Sequence, residues 1–210
     1  MSESPKREYV SVSDWEEVYR RGTPPWDAGK PHAELVRVLS EYRLCPETVL
    51  EMGCGTGADA ILLAQRRYEV TAVDCSAIAL ERARLRAEQY SAPIHFVLAD
   101  IFDYVRNAPR FDFVYDAGLY HALRRETLEQ FLDVLWRVTK PGSYYLCLAG
   151  APDPDAVNGP PQVTEEEIRG ELGRLFETIH LRPIRIESPI APQGFAGWSC
   201  LMQRPQMSKV

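Results

Sequence analysis

Short apolar runs and longer amphipathic stretches take turns along most of this chain. ETVLEMGCGTG, from Glu47, is apolar and then halted by glycines, which predicts a strand entering a tight turn. YEVTAVD predicts a second strand ending on Asp74, and IHFVLAD a third ending on Asp100. FDFVYDAG predicts a fourth, ending on Asp116, and SYYLCLAG a fifth. Helices fall before and between them. Residues 31–42 put Leu35, Val36, Val38 and Leu39 on one face, and residues 58–67 form a second helix. SAIALERARLRAEQY opens on Ser76, a good N-cap, and LEQFLDVLWRV is amphipathic and stopped by Lys140, Pro141 and Gly142. Strands alternating with helices predict a doubly wound α/β fold around a parallel sheet.

The last third departs from that rhythm. APDPDAVNGPP is a proline-rich loop, and TEEEIRGELGRLF opens with a capping box, Thr164 with Glu167. FETIHLRPIRIES and GFAGWSCLMQR follow, joined by PIAPQ, and suit an antiparallel hairpin. The expected sheet is therefore seven-stranded and mostly parallel, with the hairpin at one edge. One domain over residues 1–210 is expected, divided into an aromatic lead (1–30), a core (31–150) and an acceptor-side loop, helix and hairpin (151–210).

Composition narrows the function classes. At 210 residues and 45% hydrophobic, the chain is large enough to bury a sizeable core. It carries a net charge of −6, and its Lys and Arg are scattered, which disfavours a nucleic-acid partner. MSESPKREYV holds no apolar signal segment, and no run approaches a membrane span. Five cysteines without a CxxC pair argue against a disulfide framework or a metal site and suit the cytoplasm.

In an open α/β sheet, ligands gather beyond the carboxyl ends of the strands. Those ends here are Gly53-Cys54-Gly55-Thr56-Gly57, Asp74, Asp100 and Asp116. Gly53, Gly55 and Ala58 fit G-x-G-x-x-A, and Asp74 lies near the distance at which an acid grips a ribose, so the loop suits an adenosine-type cofactor. Glu51 favours S-adenosylmethionine over a nicotinamide dinucleotide, because an acid there attracts an ammonium and repels a pyrophosphate. The absence of a second catalytic domain and of a Tyr-x-x-x-Lys pair, with the closing hairpin, points the same way.

VLEMGCGTG, Asp74, LADIF at 98–102 and RVTKPGSYYL at 137–146 together resemble the motifs of class I S-adenosylmethionine-dependent methyltransferases. The resemblance implies that Gly53, Gly55 and Gly57 face the methionine part, that Asp74 holds the ribose and that Asp100 and Ile101 border the adenine. Trp15, Tyr19 and Trp26, followed by Asp27 and Gly29, resemble the W-x3-W-x6-W-D lead of plant thiol and halide methyltransferases and, more loosely, of thiopurine S-methyltransferase. That likeness implies a lid over the cofactor. Trp15 and Tyr19 stand one helical turn apart, and aromatic faces attract a sulfonium. The middle tyrosine and YDAGLYHAL depart from those families, which leaves the acceptor open.

The expected activity is methyl transfer to a small-molecule acceptor: a thiol, a halide or another small heteroatom nucleophile; the alternatives are a phenolic or amine acceptor, or a cofactor-binding protein without turnover. His121, just beyond the fourth strand, is the candidate base, and Tyr120 a candidate hydrogen-bond partner of the acceptor. Cys54 and Cys75 sit in the cofactor loops as packing residues; Asp116 joins them as a strand-end acid. The loop at 151–162 is the expected far wall of the acceptor pocket.

Overall fold

The computed structural model describes residues 12–154 and 159–206, with side chains from Asp14 onward. Seven strands form one sheet: β1 (Thr48–Met52), β2 (Glu69–Asp74), β3 (Ile94–Leu98), β4 (Phe111–Ala117), β5 (Thr139–Gly150), β6 (Glu177–Ser188) and β7 (Ala191–Gln203). Their order is β3-β2-β1-β4-β5-β7-β6. β1 to β5 run parallel, and β7 lies antiparallel between β5 and β6. This is the expected doubly wound sheet with its hairpin at one edge. Pro183 fits β6 because an edge strand has one row of amides with no ladder to serve.

Helices cover both faces. α2 (Ala33–Glu41), α3 (Ala58–Gln65) and α4 (Ala77–Gln89) pack Leu35, Leu39, Leu63 and Leu80 against Val49, Val70 and Phe113. α5 (Ile101–Tyr104), α6 (Leu119–Val138) and α7 (Glu165–Leu172) pack Phe131, Leu135, Ile168 and Leu172 against Leu50, Val114 and Tyr145. Successive strand residues thus feed opposite layers, as the pleat requires. Ser76 caps α4, and the Thr164–Glu167 capping box is formed at α7.

One boundary corrects the sequence reading. α6 begins at Leu119, nine residues before LEQFLDVLWRV, so Tyr120 and His121 lie on the first turn of a helix and not in a loop. Thr127 is non-helical inside it, and its hydroxyl donates to the Leu123 carbonyl. That break resets the helical period, which hid the first half. The N-terminal helix α1 (Val12–Arg21) carries Trp15 and Tyr19; the first eleven residues of the predicted lid, and 155–158 of the predicted acceptor loop, lie outside the described residues. Among the described residues, no helix is long and apolar enough to cross a membrane.

Candidate functional site

The order of strands reverses between β1 and β4, and the crevice beyond their carboxyl ends is where an open sheet binds ligands. The glycine loop occupies it. Gly53, Gly55 and Gly57 all have positive φ. Two of them are also crowded: a Cβ at Gly55 would meet the Tyr19 hydroxyl at 2.7 Å, and one at Gly57 would meet Ala83 of α4 at 2.9 Å. Only glycine gives both that backbone and that approach. The Gly53 and Cys54 amides both reach the Val73 carbonyl, which ties the loop to β2.

Glu51 is buried at the end of β1, in the layer of α3, and accepts the Ala60 amide. Its Oε2 is the buried side-chain oxygen left without a partner among the described residues. Burial, with Asp59 and Asp74 nearby, pushes this carboxyl well above the usual range. A cation placed beside this unpartnered oxygen favours the ionised form, and the ammonium of S-adenosylmethionine is one.

Asp74 lies in the same layer. It accepts the Gly55 and Ser76 amides, each at 2.8 Å, and receives the Cys75 amide as well. It therefore braces the loop and has only part of its lone-pair capacity left for a ribose. Burial raises its carboxyl, while those amides pull it back down. At the third strand end, Asp100 is half-buried and caps α5 through Phe102, whereas Ile101 turns into the core. Cys54 is buried and Cys75 half-buried; burial pushes the Cys75 thiol up to about 12, and Cys54 also rises. Both shifts hold these thiols in the protonated form.

Asp116 does not join this group, which corrects the sequence reading. Glu51 pairs with Tyr115 in the β1–β4 register, so Asp116, one residue on, points into the opposite layer. There it is fully buried, accepts the Tyr145 hydroxyl at 2.5 Å and the Tyr120 amide at 3.1 Å, and holds the start of α6. Burial raises its pKa to about 6.

Tyr120 is corrected likewise. Its ring is buried and its hydroxyl donates to Glu171 of α7 at 2.6 Å, inside a cluster with Arg124. His121 faces the sheet ends, but not as a strong base. The Gly150 amide donates to its Nδ1 at 2.9 Å, which leaves the ring proton on Nε2. Burial alone lowers its pKa to about 4. Leu119, on the same turn, lies against Gly53 and closes the loop side.

The aromatic lead is docked over this crevice. Tyr19 is buried and takes a 3.4 Å hydrogen bond from Trp26 Nε1, and Trp26 meets both Trp15 and Tyr19 edge-on. Polar contacts that the sequence reading missed fasten it. Glu16 accepts the Ser76 hydroxyl at 2.5 Å, and Arg82 donates to the carbonyls of Tyr19 and Gly22 at 2.8 Å each. Asp27 accepts the Thr56 hydroxyl at 2.8 Å, and Arg86 donates to the same hydroxyl at 3.0 Å. The hairpin reaches the lead too, through Ser188 to the Pro25 carbonyl and Glu187 to Lys30. Beneath the loop, Asp59 joins His32 at 2.7 Å and Tyr115 at 2.9 Å. An acid in the first turn of the helix after the glycines was the available signal for Asp59; its partners come from distant segments.

A methyltransferase-domain profile matches residues 49–142. A thiocyanate methyltransferase of Brassica oleracea is 28% identical over 200 residues, spanning 91% of this chain and 86% of that one. A 2-heptyl-1-hydroxyquinolin-4(1H)-one methyltransferase of Mycobacteroides abscessus is 28% identical over 166 residues, spanning 78% and 73%. A solved structure from work on conversion of a disulfide bond into a thioacetal group during echinomycin biosynthesis superposes with a TM-score of 0.81 at 26% identity, covering 94% of each chain. S-adenosylmethionine, the cofactor of this family, supplies an already activated methyl group on a cationic sulfur, and Glu51, the glycines and Asp74 are the residues suited to hold it. Likeness through the whole sheet and a loop shaped for a cationic, ribose-bearing ligand lead to one conclusion: the chain carries a methyltransferase domain over residues 49–142 and is an S-adenosylmethionine-dependent methyltransferase.

Proposed function

We propose that this methyltransferase, whose acceptor is a small molecule, acts on a soft nucleophile that needs no general base: a thiol, thiocyanate or halide. One observation carries the reading. The two groups that the sequence offered for handling an acceptor's proton are both committed. Tyr120 gives its hydroxyl to Glu171, and His121 has one nitrogen filled by Gly150 and the other protonated. A thiol ionises near neutral pH, whereas a phenol or amine acceptor needs its proton removed. Positioning and water exclusion then supply the catalysis. Glu51 and the glycine loop orient the cofactor, the lead covers it, and Leu119 with His121 forms the near wall of the acceptor space. The thiocyanate and thiol methyltransferases among the relatives support a sulfur acceptor. The same reading places the enzyme in the cytoplasm, with no nucleic-acid or membrane partner.

The test is a matched acceptor panel: thiocyanate, iodide and thiophenol against phenol and aniline, read by S-adenosylhomocysteine release. The expected result is turnover of the first three at pH 7. Turnover of phenol or aniline with none of thiocyanate, iodide or thiophenol contradicts the reading.

A further inference from the structure

Resting on that function, we propose that His121 selects the acceptor by donating a hydrogen bond from Nε2–H to an atom that carries negative charge before methyl transfer. A backbone amide can only donate, so the 2.9 Å contact from Gly150 fixes Nδ1 as the acceptor and Nε2 as the donor. The ring is thereby clamped between two strand ends, since Gly150 closes β5 and Gly118 follows β4. Nε2 has no hydrogen-bond partner among the described residues. A Cβ at Gly118 would stand 3.3 Å from Nε2, so glycine keeps the approach to that nitrogen clear. Both strand ends lie on the carboxyl edge of the sheet, the edge that also carries the Gly53–Gly57 loop, and β4 is the neighbour of β1 from which that loop leaves. Burial lowers the ring's pKa, and among the described residues no carboxylate acts on it.

The chemistry of the step decides what such a donor does. A lone pair already present on the acceptor forms the new bond to carbon. The sulfonium–carbon bond breaks onto the cofactor's sulfur, and no proton leaves the acceptor. The acceptor's negative charge disappears as the bond forms. A donated hydrogen bond is therefore strongest before the transition state and weakens on the way to it. It serves binding and selection, and a base would instead serve the rate.

The experiment compares wild type, His121→Ala and His121→Gln with thiophenol and with thiocyanate. The expected result for His121→Ala is a KM raised roughly 10–100-fold, with kcat unchanged or slightly higher, the effect of losing one hydrogen bond to a charged partner. Glutamine, which can place an N–H near Nε2, recovers most of the KM. Calorimetry of thiocyanate binding to the S-adenosylhomocysteine complex should show the same loss without turnover. In wild type labelled with 15N-histidine, the signal absent from His121→Ala should report the neutral Nε2–H form from pH 5.5 to 8. A fall in kcat at constant KM, an unchanged KM, or an Nδ1–H or charged ring at pH 6 overturns the proposal. Wild type that neither binds nor turns over thiophenol or thiocyanate defeats the proposed function, and this inference with it.

Discussion

Glu51→Gln should move stability and cofactor affinity in opposite directions. The substitution keeps shape and the oxygen that accepts the Ala60 amide, and it removes a buried ionisable group whose second oxygen has no partner. Asp59 and Asp74 both raise the Glu51 carboxyl, so an amide N–H in place of that oxygen faces two acids instead of opposing them. An unsatisfied buried acceptor costs ~1–3 kcal/mol. For a chain of this size each kcal/mol moves Tm by ~2–4 °C, so the ligand-free variant should melt roughly 2–10 °C higher at pH 8. The sign depends on pH. A carboxyl whose folded pKa is raised loses stability as pH climbs through that value, and costs nothing below its unfolded value of ~4.3. The gain should therefore shrink toward pH 4. Binding should go the other way, because the ammonium loses a charged partner worth ~1.5–3 kcal/mol, or roughly 10–100-fold in Kd. Calorimetric melting with and without S-adenosylhomocysteine reads both quantities in one series. A variant that melts lower and binds S-adenosylhomocysteine as tightly as wild type would instead make Glu51 a structural pin with no part in holding the ammonium.

Asp116→Asn should flatten the pH dependence of Tm between about pH 4 and 7. The raised carboxyl, at about 6, is stabilising below its unfolded value of 3.8 and loses about 3 kcal/mol as pH rises through 6, which the amide cannot do; melting curves at half-unit steps of pH check it, and an unchanged slope contradicts it. Arg82→Ala removes both donors to the end of α1 and should weaken S-adenosylhomocysteine binding more than it lowers the ligand-free Tm, as calorimetry and melting compare directly; the reverse order would assign the lead to folding. Gly57→Ala should destabilise the chain by several kcal/mol, since the new Cβ meets Ala83 at 2.9 Å on a backbone that resists a side chain, and a Tm within a degree of wild type would count against the loop geometry.

What was legible in the sequence was local. The strand runs, the Ser76 cap and the Thr164–Glu167 box are settled within a few residues, and each formed as expected. The glycine loop was readable because its chemistry is backbone chemistry. Asp116 was misplaced because its direction depends on register: a strand-end acid looks alike in sequence whether the pleat turns it toward the loop or away. The helical turn that carries His121 was hidden because Thr127 interrupts the helical period, and the ring's tautomer depends on Gly150, a neighbour only after β5 forms. The contacts of Glu16 with Ser76 and of Asp59 with His32 span 60 and 27 residues, and no local pattern announces them.

S-adenosylmethionine is expected to bind on the glycine loop beneath the aromatic lead. Hydrogen exchange with and without S-adenosylhomocysteine tests it most directly. New protection is expected at Gly53 to Gly57, at Cys75 and Ser76 and along α1, with β1 equally protected in both states because its amides are already paired in the sheet centre. Protection confined to another part of the chain, or none at saturating ligand, would contradict it.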